Sequence, residues 1–167
     1  WPGDFGPSPG ALTTDSADRI VMAVNTGTST VRFLRTSDTG TVDSSFGFLG
    51  SVSLTVPGAS TARIVRLLPG VGNGLIAVGD AELTDGRWIV VFQLYEDGSL
   101  ADKFGIDGFA FTRGGVTGVE AFAADAALNG AMNDQLEVGG WVEHQALARD
   151  LGLRAIIDLG DGGTLAE

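Results

Sequence analysis

The stretch that decides the fold is EDGSLADKFGIDG, Glu96 to Gly108: an acidic Asp-Gly turn, a Leu, more acid, then Phe-Gly and a second Asp-Gly. Thirteen residues of turn chemistry with so few apolar side chains make sense if the turn is used more than once. SDTGTVDSSFGFLG, Ser37 to Gly50, aligns with it without a gap, since Gly40 to Gly98 and Phe46 to Phe104 are both 58 residues apart. GDGGTLAE, Gly160 to Glu167, matches its first half at a spacing of 65 from Leu100 to Leu165. GDFG, Gly3 to Gly6, reads as the tail of a fourth copy, so that the chain opens in the second half of the motif and closes in its first. A period of about 60 residues is the mark of a repeat architecture.

Between the motifs lie short runs rich in β-branched and aromatic residues, bounded by Gly, Pro or Asp. The middle repeat divides into GSVSLTV, ARIVRLL, GLIAVGDAEL and RWIVVFQLY, and the third into DGFAFTR, VEAFAAD, DQLEVGGWVE and LRAIIDL. The first has room for about three, among them RIVMAV and STVRFLR. VEAFAADAALNGAM, Val119 to Met132, is Ala-rich enough to favour a helix, but the repeat register makes it a strand and turn. Four short strands per repeat predict blades of a β-propeller. The expected fold is all-β, about three antiparallel sheets in a propeller-like or prism-like array. A single domain spans 1–167, with repeats at roughly 5–46, 47–104 and 105–167, either whole or part of a longer array. Closure is expected to join GDFG to the unfinished C-terminal motif, because open sheet edges are association-prone. Asp-Gly supplies the left-handed step of a tight turn. Val42, Leu100 and Leu165, with Phe46, Phe104 and Phe5, are expected as buried anchors where the chain leaves one sheet for the next.

These pieces, RFLRTSDTGTVDSSFG (Arg32 to Gly47), VFQLYEDGSLADKFGIDG (Val91 to Gly108) and LRAIIDLGDGGTLAE (Leu153 to Glu167), with GNGLIAVG (Gly72 to Gly79) as central strand, resemble the delta-60 repeat family. The resemblance covers nearly the whole chain. It departs where the Asp before Phe-Gly moves from Asp43 to one place later, Asp102, and where the third copy lacks Phe-Gly. What it implies is a propeller-like array in an exported bacterial protein, with no shared catalytic activity to carry over.

Composition narrows the function classes. The 167 residues carry a formal net charge of -11, so a phosphate backbone meets repulsion and nucleic-acid binding is not expected. No apolar run approaches the ~18 residues of a membrane-spanning helix, and membrane insertion is not expected. There is no Cys, and the one His, His144, cannot build a multi-histidine metal site or, without a G-x-S-x-G, a serine hydrolase. Trp1 in place of Met suggests a processed, exported product, secreted, periplasmic or at the cell surface. No cofactor is expected.

Several residues merit weighing as sites. Asp80 and Glu82 alternate on a strand, which sets them on one face roughly 6.5–7 Å apart, the arrangement a glycosidase carboxylate pair uses; in so acidic a chain the spacing also arises by coincidence. Trp88, Tyr95 and Trp141 offer aromatic faces for sugar stacking, against the plainer reading of inter-sheet packing. Asp97, Asp102 and Asp107 lie within eleven residues and could supply oxygens to calcium, although the spacing is not that of an EF-hand and turn acids are commonly only solvated. PGVGNG, Pro69 to Gly74, reads as a hairpin, because a phosphate loop needs a following helix and LIAVG is a strand. The arginine pairs Arg32/Arg35 and Arg63/Arg66 send their members to opposite strand faces, capping acidic turns or lining an edge. The leading expectation is a non-enzymatic exported module for surface structure, adhesion or protein interaction, with a protein partner or self-association. The rival is a carbohydrate-binding protein or glycoside hydrolase with its site at a blade mouth. A third reading is a subunit adding blades to a larger enzyme.

Overall fold

The computed structural model describes residues 8–113, 119–129, 135–144, 149–159 and 164–166. They form three antiparallel sheets and, apart from one 3-10 turn at Val71–Asn73, no helix. The first sheet holds β1 (Ser8–Thr14), β2 (Ile20–Asn25), β3 (Thr30–Thr36) and β4 (Ser51–Thr55) in that order. The second holds β5 (Thr61–Pro69), β6 (Leu75–Leu83), β7 (Gly86–Leu94) and β8 (Phe109–Thr112). The third holds β9 (Glu120–Asn129), β10 (Gln135–His144), β11 (Arg149–Asp158) and β12 (Thr164–Ala166). The Ala-rich segment is strand through Asn129, as the repeat register requires and against its helical propensity.

The second sheet lies between the other two. Val21, Ala23, Val31 and Phe33 of the first sheet form one core with Leu67, Leu75, Ala77 and Phe92 of the second. Ile76, Val78, Ile89 and Val91, on the second sheet's other face, form another core with Ala121, Leu136, Val138 and Ile157 of the third. Burial on both faces explains why β6 is buried at every residue from Leu75 to Ala81 and reads as an almost unbroken apolar run. Phe33 meets Phe92 edge to face across the first boundary, with ring centroids 5.9 Å apart, a geometry worth about 0.5–1.5 kcal/mol beyond its area. Asn25 braces the same boundary: its amide accepts from Ile64 N at 2.8 Å and donates to Ile64 O at 3.2 Å, beside the bulge between Ile64 and Arg66.

The sheets are one strand out of phase with the sequence repeats. GSVSLTV supplies β4, paired with β3 of the first sheet, and DGFAFTR supplies β8 of the second. The Asp-Gly…Phe-Gly joint therefore links the third strand of a sheet to the fourth strand of the same sheet, correcting the expectation that it carries the chain between sheets. The reason lies in the backbone: isolated bridges Thr36–Val42 and Leu94–Leu100 turn the chain back along the strand it has left. The step from first to second sheet falls to Val56–Ser60, where Val56 N donates to Ser29 O and Ser60 N to Glu82 O.

The anchors also differ from expectation. Phe46 and Phe104 are buried, but Leu100 is half-buried and Val42 is 60% exposed. Val42 and Leu100 lie across Gly50 and Gly108, whose φ values are +80° and +89° and whose hypothetical Cβ atoms fall 2.4 Å from Val42 Cγ1 and 2.6 Å from Leu100 Cδ2. The glycine closing each joint is thus fixed by conformation and by space together. Phe5 and the GDFG segment, and the side chain of Leu165, lie outside the described residues. A bulge shared by β1 (Pro9/Ala11) and β5 (Ile64/Arg66) relates the first two sheets by 55 residues.

Candidate functional site

The first Phe-Gly joint meets the Asp97–Gly98 turn of the second copy, and this contact organises a polar network that spans the two. Gly47 N donates to Asp97 O at 2.7 Å. The Phe46 ring packs on Gly98, where a Cβ would lie 2.9 Å from Phe46 Cε2 and 2.5 Å from Val52 Cγ2. Arg35, 1% exposed, ties the two together: Nε donates to Asp43 at 2.8 Å, Nη2 to Ser45 Oγ at 3.1 Å, Nη1 to the Glu96 carbonyl, and the guanidinium carbon stands 4.5 Å from the Phe46 ring centroid. A buried guanidinium needs this full set of acceptors, since an unpaired one costs several kcal/mol. Arg19 joins from the β1–β2 loop, bonding Asp15 at 2.7 Å and Glu96 at 2.9 Å. Hydrogen bonds from Ser45, helped by the Arg35 charge, hold the Asp43 carboxyl below its ordinary range, and Ser99 does the same for Asp97.

Asp80 and Glu82 do share one face, as their spacing predicts, but arginines engage both. Asp80 is fully buried, with one oxygen 2.9 Å from Arg63 Nε and the other 2.8 Å from Arg87 Nη1. Arg87 also reaches Glu82 at 3.0 Å and lies 5.1 Å from the Phe122 ring centroid. Each Asp80 oxygen thus has a charged donor, an arrangement suited to fixing β5, β6 and β7 and poorly suited to proton transfer.

The three aromatic candidates do not form one platform. Trp88 and Tyr95 sit at opposite ends of the β7 region, seven residues and so roughly 23 Å apart along an extended chain. The Arg113 guanidinium covers Trp88 at 4.0 Å, and the indole N–H donates to Asp85 at 3.0 Å. Tyr95 is half exposed beside the Asp-Gly turn. Trp141 stacks on Phe122 with centroids 5.1 Å apart and planes 5° from parallel.

Among the described residues no three His, Asp or Glu side chains come together to hold a metal ion. Asp97 instead closes its own turn, accepting from Ser99 N at 2.8 Å and Ser99 Oγ at 2.6 Å, while Asp107 occupies the left-handed step of its turn at φ +52°. Asp102 is exposed; Ala101 takes the place of Asp43, since Phe104 N donates to Ala101 O as Phe46 N does to Asp43 O. PGVGNG forms the β5–β6 hairpin with its 3-10 turn. The His144 side chain lies outside the described residues. Of the arginine pairs, Arg35 is buried and Arg32 exposed, as alternation predicts, while Arg63 and Arg66 bind Asp80 and Asp125.

Sequence reading had Arg35 capping an acidic turn or lining an edge; it caps the Asp43 turn, and what the reading missed is its burial and its reach to the Glu96 carbonyl. The eight-residue spacing to Asp43 was the available signal, but the second copy has Gln93 and Ala101 at these places, so repetition did not point to it. No helix among the described residues is long and apolar enough to cross a membrane. No family model matches the chain, and no curated protein matches it.

Proposed function

We propose that this chain is a non-enzymatic, exported β-repeat module of the delta-60 type that serves surface structure, adhesion or protein interaction. The observation that carries this reading is the fate of Asp80: the carboxylate that the sequence sets beside Glu82 at catalytic spacing is taken up by Arg63 and Arg87, while the recurring motif works as a packing joint. Asp80→Asn is expected to lower stability by about 1–3 kcal/mol, by weakening the charge-assisted hydrogen bonds between a buried acceptor and two part-exposed arginines, and to change no turnover. Turnover of any glycoside by the purified protein that vanishes in Asp80→Asn or Glu82→Gln, with the fold intact by circular dichroism, contradicts the reading.

Carbohydrate binding is the second reading, favoured by the Trp141–Phe122 stack, in which Trp141 is only half-buried. A glycan array with binding lost in Trp141→Ala supports it; a blank array across broad sugar classes removes it.

A further inference from the structure

One face of the first sheet repeats, in register, a face that is covered elsewhere in the molecule. The cross-strand row Leu67–Ala77–Phe92 of the second sheet lies under the first sheet, at 2%, 0% and 0% exposure. In the row Ala126–Val138–Ala155 of the third sheet all three residues are likewise buried, Ala126 and Val138 in the core shared with the second. The matching row of the first sheet, found from the shared bulge, is Leu12–Met22–Leu34. It is as apolar as the others, yet Leu12 is 65% exposed and Met22 and Leu34 are only half-buried.

The turn beside that row is prepared in the same way. Ser37 N bonds Thr41 O and Gly40 N bonds Ser37 O, at 2.7 and 3.0 Å, as Tyr95 N bonds Ser99 O and Gly98 N bonds Tyr95 O, at 2.8 and 2.9 Å. The glycine φ angles are +84° and +86°. Gly98 is buried under Phe46, whereas Gly40 is exposed and a Cβ there would meet nothing within 4 Å. Two independent features, an apolar row and a preformed turn, thus repeat the receiving half of the internal interface.

We propose that the Gly40 turn and the Leu12–Met22–Leu34 row form a docking site for a Phe-Gly joint from a separate chain carrying the same type of repeat, its Phe ring seated on Gly40 and its Gly N–H bonded to the Thr39 carbonyl. A second copy of this chain stacked head to tail fits less well. The described part of its third sheet's far face bears the Glu137–Arg154 ion pair and Gly139 beside the Phe122–Trp141 stack, and its own Phe46 and Phe104 are buried.

This inference rests on the repeat-module reading above, and its test reads the face alone, independently of any turnover or glycan result. The probe is the synthetic peptide TVDSSFGFLG, the sequence of Thr41 to Gly50, titrated to about 1 mM into the whole isotope-labelled chain and followed by amide and methyl NMR shifts. Expected are saturable shifts at Thr39, Gly40, Met22 and Leu34, at least tenfold weaker with the peptide's Phe replaced by Ala. Because only the peptide is altered, the chain's folding is not in question. Shifts centred on Gly98, equal response to the Ala peptide, no response, or contacts showing residues 1–7 already seated on Met22 and Leu34 would each overturn the proposal.

Discussion

Arg35 does with one side chain what the joint's backbone cannot do alone, satisfying acceptors on both the first joint and the second turn while buried. Arg35→Ala should therefore cost about 3–5 kcal/mol in urea unfolding, far more than removal of the exposed Arg32. Its partner gives a pH dependence of definite sign. Asp43 has its pKa lowered on folding, so its contribution is present above the unfolded value of about 3.9 and is lost as pH falls through the lower folded value. Asp97 and Glu137, also lowered, act in the same direction. The unfolding midpoint should hold from pH 6 to pH 5 and fall between pH 4 and pH 2, and Asp43→Asn should reduce that fall. A midpoint indifferent to acid, or a wild-type slope retained in Asp43→Asn, would count against the network. Glycine supplies the other test at this scale. Gly98→Ala places a methyl group against Phe46 in addition to left-handed strain of about 1–2 kcal/mol, whereas Gly40→Ala adds the strain alone. Chemical denaturation of the two variants should rank Gly98→Ala as the costlier, by about 1–3 kcal/mol.

The joint is the element that the sequence exposed and also the one it disguised. Its repetition, the Asp-Gly turns and the burial of Phe46 and Phe104 were legible because turn residues and an apolar outlier leave a local signature. Its place within a sheet was not, since strand pairing is a non-local choice: nothing in GSVSLTV reveals whether it pairs with the strand before or after it. Val42 misled for a related reason, an apolar residue in a turn lying across a neighbouring glycine instead of entering the core. Asp80 and Glu82 were legible as a pair on one face, but the arginines that engage them come from β5 and from the end of the β6–β7 hairpin, a meeting that only the register settles. Phe46→Ala should cost about 3–5 kcal/mol, and Phe48→Ala, 80% exposed, less than about 0.5. Equal effects at the two positions would mean that the joint does not seat its Phe as described.

At the scale of the whole molecule, sheets packed on sheets in series leave two outer faces, and the two differ. The central sheet is apolar on both sides, the third carries charge on its far side, and the first keeps an apolar row open. The one-strand offset between repeat and sheet gives this series continuity, because each joint completes its own sheet while its Phe reaches the next. That claim has a direct measurement: cross-strand NOEs in the labelled full-length chain. Hα and amide contacts between Phe33 and Val52, together with contacts between the Phe46 ring and Gly98, are the predicted result. Val52 paired instead with Thr61–Ile64 of β5, with Phe46 remote from Gly98, would return the joint to the space between sheets and contradict the account.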